Sequence, residues 1–186
     1  STRRDYYQRE VISKIPVNEN HHLHDERLES CQEAVLLFRN YYATSKLLAG
    51  IESAKRFIGE DIRLRQSISR DLKLVDEFLK QYGFRLIVLS GYRHPELQKL
   101  ILAEAQKRSG AAAANHMFAN ADYYAPHATG AAFDIELWDE KNARMLPAKT
   151  PKGFDRYCLE NRDDLSLDEI EIRNNRRLIH NLLATD

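Results

Sequence analysis

Residues 127–138 read HATGAAFDIELW, and the fold turns on how that run divides. From Ala132 to Trp138, the residues Phe133, Ile135 and Leu137 alternate with Asp134, Glu136 and Trp138, the two-residue period of a half-buried strand. Asp134 therefore leaves the apolar face. His127 stands seven positions earlier, and in one unbroken strand an odd separation would put the two side chains on opposite faces. They can converge if the chain bends between them. Thr129-Gly130 supplies the place, since glycine accepts the backbone angles that tight turns require.

Upstream of this run, Leu64, Ile68, Leu72, Val75, Phe78, Leu79 and Tyr82 recur at three- and four-residue steps. That spacing predicts an amphipathic helix over 64–82, stopped by Gly83. FRLIVLSG, residues 84–91, is short, apolar and bounded by glycines, as a buried strand would be. Pro95 is placed to open a helix carrying Leu97, Leu100, Ile101 and Ala105 inward. The stretch Ser109 to Ala125 has no steady period and reads as a long connection, a kind of segment that in compact domains is often functional. A second loop, PAKTPKGFD, ends at Asp155. Ser166 and Glu169 have the spacing of a capping box ahead of a last helix with Ile170, Leu178, Ile179, Leu182 and Leu183 inward. Residues 1–26 are polar and irregular, as in a mobile arm.

The 186 residues fit one domain with a real core. Helices mixed with strands, at least one pair of them hairpin-like, predict an α+β fold: a small, mostly antiparallel sheet flanked by helices. The 28 basic and 28 acidic residues cancel, which argues against a nucleic-acid partner. No apolar run is long enough to cross a bilayer, and the first ten residues hold no apolar leader core. The expectation is a cytoplasmic protein with no membrane partner, or a periplasmic one whose leader has been removed. Cys31 and Cys158 lack the paired spacing of a cysteine zinc site.

Two constellations could carry chemistry. Imidazole nitrogen and carboxylate oxygen are both good zinc donors, and a catalytic zinc commonly takes three protein ligands and leaves one position open. His127 and Asp134, brought together by the bend, would be two of the three. The same spacing also fits a surface histidine and an aspartate paired with a lysine or arginine. The second constellation is SGYRHPELQ, residues 90–98, at the end of the buried strand. There Arg93 would offer its fixed fork of donors to an anionic oxygen, or else bind helix-entry carbonyls. His21, His22 and His24 form a solvated cluster in the arm.

SGYRHPELQ, PHATGAAFDIEL, GFDRYCLENRDD and NNRRLIHNLL, in that order, resemble the zinc D-alanyl-D-alanine dipeptidases of the VanX type, within the zinc D,D-peptidases that also include VanY-type carboxypeptidases. The resemblance runs from about Leu64 onward. It implies hydrolysis of the D-Ala-D-Ala dipeptide in bacterial cell-wall metabolism or glycopeptide resistance, with Zn2+ as cofactor and a small D-amino-acid dipeptide as the bound partner. Position by position, it makes His127 and Asp134 zinc ligands and Arg93 the group that stabilises charge on the scissile carbonyl. Asp155 becomes the acceptor of the substrate's free amino group. A D,D-carboxypeptidase of the same family is the near alternative.

The sequence departs from the family pattern in three places. His94 intervenes between the motif arginine and Pro95, and Ala125 stands where a serine is usual. A short ExxH element, which in the family supplies the general base and third ligand, is not found before Asp186; neither Glu171 nor His180 aligns with it. The expectation is that a further segment carries both residues. The other reading is a catalytically silent relative acting as a binding module.

Overall fold

The computed structural model describes residues 26–118, 125–147 and 165–184. Its elements in chain order are β1 (Leu28–Ser30), β2 (Leu37–Phe38), α1 (Tyr41–Thr44), α2 (Glu52–Lys55), β3 (Arg63–Arg65), α3 (Gln66–Lys80), β4 (Phe84–Ser90), α4 (Pro95–Ser109), α5 (Ala111–Met117), a 3-10 turn (Pro126–Thr129), β5 (Asp134–Asp139), β6 (Arg144–Met145) and α6 (Leu167–Ala184). The four-stranded sheet has the order β2-β4-β5-β6 and a smaller sheet pairs β1 with β3. Only β2 with β4 is parallel among these pairings; the others are antiparallel. With helices packed around two small sheets, the fold is α+β, as the sequence pattern predicts.

β4 is central because both its neighbours and its helices need it. Leu86 and Val88 are buried with Leu64, Leu72, Leu79 and Leu137 in the main core. A fully buried side chain of this kind contributes about 1.5–3 kcal/mol. Phe133, Ile135 and Leu137 all join that core, whereas Asp134 is exposed, so the alternation read from the sequence sets the faces of β5. A second core, Leu48, Ala54, Leu97 and Ile101, packs α4 against the α1–α2 segment.

The helix predicted over 64–82 begins two residues later. Leu64 belongs to β3, where it is fully buried, so a strand residue had fallen into phase with the helical series. Arg65 caps α3 without a side-chain bond, and Glu26 accepts from the Ser67 amide in its place. Burial opposes the Glu26 charge, but the Ser67 hydrogen bonds and the nearby Arg65 outweigh it and hold the carboxyl below its usual range. Phe78 and Tyr82 turn to solvent and pack on each other with ring centroids 5.2 Å apart.

The expected connection over 109–125 contains α5. Its alanines present no period because they are apolar and small on every side; Ala114 alone is fully buried, against Leu102 and Ala105. The capping box at α6 forms reciprocally: the Ser166 amide donates to Glu169 Oε2 at 2.9 Å, and the Glu169 amide donates to Ser166 Oγ at 3.3 Å. The inward face of α6 differs from the expected one. Ile172 is its buried residue, Ile179 and Leu182 pack on the core, and Leu178 and Leu183 are exposed. Asp155, Cys158, the three histidines of the arm and residues 1–25 lie outside the described residues. No helix of the described residues is long and apolar enough to cross a membrane.

Candidate functional site

The bend expected at Thr129-Gly130 is present. Pro126–Thr129 forms one 3-10 turn, and Gly130 leaves it with φ +73°. The positive backbone angle favours glycine, and a Cβ there would also push on the end of Leu28, 2.5 Å from its Cδ2. Thr129 ties the turn to itself: its hydroxyl donates to the Pro126 carbonyl at 2.7 Å and accepts from the Ala131 amide at 3.1 Å. Two neighbours then lock it from outside. Arg65 donates from its backbone amide to Gly130 O at 2.9 Å and from Nε to Thr129 O at 2.6 Å, while the Arg93 amide donates to His127 O at 3.0 Å.

On the other side, β4 ends in a bulge between Val88 and Ser90, after which Ser90 faces Asp134 across the ladder. Bulges of this sort re-aim side chains and are common beside functional sites. Gly91 follows where a Cβ would collide with the Arg63 carbonyl and come within 2.8 Å of Ile62 Cγ2. Its own carbonyl meets His127 Nδ1 at 2.8 Å. Nδ1 must donate there, because a carbonyl only accepts, and the free lone pair is left on Nε2.

Nε2 looks at Asp134 Oδ2 across 3.7 Å. The turn thus brings together the two side chains that an unbroken strand would have separated. Burial and the Arg93 guanidinium push the His127 imidazole below its ordinary 6.5, against the pull of Asp134 and of the Gly91 carbonyl. A neutral imidazole with its lone pair toward a carboxylate is two acceptors face to face, an arrangement that a shared proton, a bridging donor or a cation between them would satisfy.

Arg93 is the third member. It is 6% exposed, and its Nη2 lies 3.6 Å from Asp134 Oδ2, too far for a hydrogen bond. The fork is held elsewhere, with Nη1 donating to Gln98 Oε1 at 2.6 Å and Nη2 to Ser90 Oγ at 3.0 Å. Its guanidinium carbon lies 4.5 Å from the centre of the Tyr42 ring. Among the described residues, Arg93 Nε has no hydrogen-bond partner. Within the chain, Arg93 is held by a serine, a glutamine and an aromatic ring, with the Asp134 carboxylate beside it.

Ser90 and Gln98 lie inside the quoted motif, and the opening of a helix at Pro95 already puts Gln98 one turn in, near the arginine. Tyr42 had no such signal, as 51 residues separate it from Arg93. His94, the residue that interrupts the family pattern, is the N-cap of α4: its Nδ1 accepts from the Glu96 amide at 3.2 Å, and its ring stacks on Phe57 at 4.5 Å. Of the remaining candidates, Glu171 pairs with Arg144 at 2.8 Å and His180 is exposed on α6. Asp155 is not among the described residues. Nor do the described residues contain any group of three or more His, Cys, Asp or Glu side chains arranged to hold a metal; His127 and Asp134 are a pair.

Residues 61–157 match the VanY family, D-alanyl-D-alanine carboxypeptidase. That is just over half of the chain. The chain belongs to the VanY family. The matched span includes β4, the Arg93 motif and the His127–Asp134 turn, so the geometry above lies inside it. A comparison with curated proteins finds no match. Among solved structures, the chain is similar to the LdcB LD-carboxypeptidase, whose structure is described as revealing the molecular basis of peptidoglycan recognition: identity is 26% over 43% of this chain, with a TM-score of 0.36. The alignment spans 36% of that protein's length.

Proposed function

We propose that the protein hydrolyses the amide bond of D-alanyl-D-alanine in cell-wall metabolism, with a zinc ion held between His127 and Asp134. The observation that carries this is the facing pair itself: an Nε2 lone pair and a carboxylate oxygen 3.7 Å apart. Two ligands of one tetrahedral zinc, at about 2.0–2.2 Å from it, lie about 3.3–3.6 Å from each other. The donor types suit the ion, the observed 3.7 Å lies just beyond that range, and the family match supports a peptidase.

Bound zinc would supply Lewis-acid polarisation of the amide carbonyl. The chain's own groups do the rest of what can be derived. The Gly91 carbonyl holds the His127 tautomer and ring orientation, as partners of metal-binding histidines generally do. Arg93 presents a permanent positive charge beside Asp134, fixed in place before substrate arrives. A preorganised donor of that kind, facing the oxygen on which charge develops, contributes about 3–4 kcal/mol to the rate. Asp155 would receive the free amino group and so favour the dipeptide over longer peptides.

The second reading, removal of the terminal D-alanine from longer peptides, is favoured by the family's own description. Product analysis separates the two. Full-length, zinc-loaded protein is expected to release D-alanine from free D-Ala-D-Ala. Cleavage of an N-blocked D-Ala-D-Ala peptide with the free dipeptide untouched would replace the first reading by the second. Stoichiometric zinc with no cleavage of either would overturn both.

A further inference from the structure

Among the described residues, Tyr42 reaches Arg93 from 51 positions upstream, and a short chain of contacts puts it there. It lies on α1, a single turn whose N-cap Asn40 accepts from the Tyr42 amide at 3.1 Å. Asn40 is itself fastened by its Nδ2, which donates to the Gly59 carbonyl at 2.7 Å. Tyr42 also packs against the second core of Leu48, Ala54, Leu97 and Ile101. That core contains α4, the helix that supplies Gln98. The ring and the glutamine are thus mounted on one packed unit, and Arg93 is held between them.

The contact is of a kind with a definite physical effect. A guanidinium carbon 4.5 Å from a ring centroid is within cation–π range, and the attraction grows as water is removed. Arg93 is buried. The phenol is also within electrostatic reach of the site: burial raises its pKa, the Arg93 charge lowers it, the Asp134 charge raises it again, and a hydrogen bond with Arg93 lowers it. The guanidinium carbon lies over the ring, while Gln98 and Ser90 accept hydrogen bonds from two of its nitrogens. The ring contact and the two acceptors together restrict how the guanidinium can turn.

We infer that Tyr42 is a positioning residue for the peptidase reaction, its ring fixing the plane of the Arg93 guanidinium so that the charge meets the carbonyl oxygen in register. This rests on the proposed function for the reaction but not for the clamp. On this inference the ring, rather than the hydroxyl that also bonds Arg93, does the positioning, so Tyr42→Phe should keep the effect and Tyr42→Leu should lose it.

The clamp is read first without activity, by NMR of the Arg93 Nε–Hε group in the full chain. The proton is expected to carry a ring-current shift in the wild type and in Tyr42→Phe, and to lose it in Tyr42→Leu. Should Tyr42→Leu fail to fold, Tyr42→Met makes the same comparison. A resonance that is the same in the ring-less variant as in the wild type overturns the clamp, whatever the protein catalyses. In steady-state kinetics on the peptide that the wild type cleaves, kcat should fall about tenfold in the ring-less variant with KM little changed, and Tyr42→Phe should restore it. An unchanged kcat in a folded ring-less variant overturns the inference while leaving the peptidase reading intact. A wild type that cleaves no D,D-peptide fails that reading instead, and it removes the catalytic role of Tyr42 with it.

Discussion

β4 carries an arginine–aspartate pair at each end, and the two pairs are built differently. Near its start, Arg85 donates to Asp76 from Nε at 3.0 Å and from Nη2 at 2.9 Å, and the Leu86 amide donates to the same carboxylate at 2.8 Å. Asp76 is 2% exposed, and the hydrogen bond to it outweighs burial to hold the Arg85 proton more tightly than usual. That pair joins α3 to the sheet. Just past the other end, Arg93 and Asp134 stand 3.6 Å apart without a hydrogen bond, Asp134 is half exposed, and Arg93 Nε has no partner among the described residues. The first pair is saturated by its own partners, as buried charge must be to be stable. The second leaves a carboxylate and an imidazole lone pair facing each other. The comparison sets a pair closed on itself beside one that stays open to solvent.

Breaking each pair should therefore read out in different assays. Arg93→Lys keeps the charge and removes the planar fork, and kcat is expected to fall about 100-fold or more in peptidase assays. Thermal unfolding should show the protein still folded. Asp76→Ala does the reverse: chemical denaturation should show a loss of about 3 kcal/mol, because the Arg85 charge and the Leu86 amide lose their acceptor together, while kcat of the folded fraction stays near that of the wild type. Gly130→Ala sits between the two. It forces a side chain into a positive φ and toward Leu28, so stability should drop by about 1–3 kcal/mol, and activity should fall as well because the same turn sets the His127–Asp134 distance.

The smallest effect is one of pH. The folded-state pKa of His127 lies below 6.5, so as pH falls through that value the unfolded chain takes up the proton first. In metal-free protein, His127 should leave stability unaffected above about pH 6.5 and reduce it progressively below. His127→Gln should flatten that slope, which denaturation across pH 5 to 8 would measure. A slope that persists in His127→Gln would place the titrating group elsewhere.

How much of this was legible in the chain depends on how local the cause was. The strand at Phe84, the proline-started α4, the capping box at Ser166 and the bend at Gly130 all follow from residues within a few positions of one another. The β5 alternation likewise fixes which face Asp134 leaves. Non-local pairing is what escaped. β1 and β3 are three residues each, too short for a period, and are defined only by each other. The face of α6 was misphased because Ile172 was not counted among its apolar positions, and the core, not the helix, chooses which residues go in. At the site, His127, Asp134 and Arg93 were singled out from their motifs and the resemblance, whereas the Tyr42 clamp depends on a contact that only the assembled α1–α4 unit makes.

Zinc content tests the account most directly. Full-length protein, purified with zinc and dialysed, should hold one zinc per chain. His127→Ala and Asp134→Ala should each lose it, and Asp76→Ala should keep it. Zinc retained at the wild-type level in both His127→Ala and Asp134→Ala, or no zinc in the wild type, would contradict the claim that these two side chains share one ion.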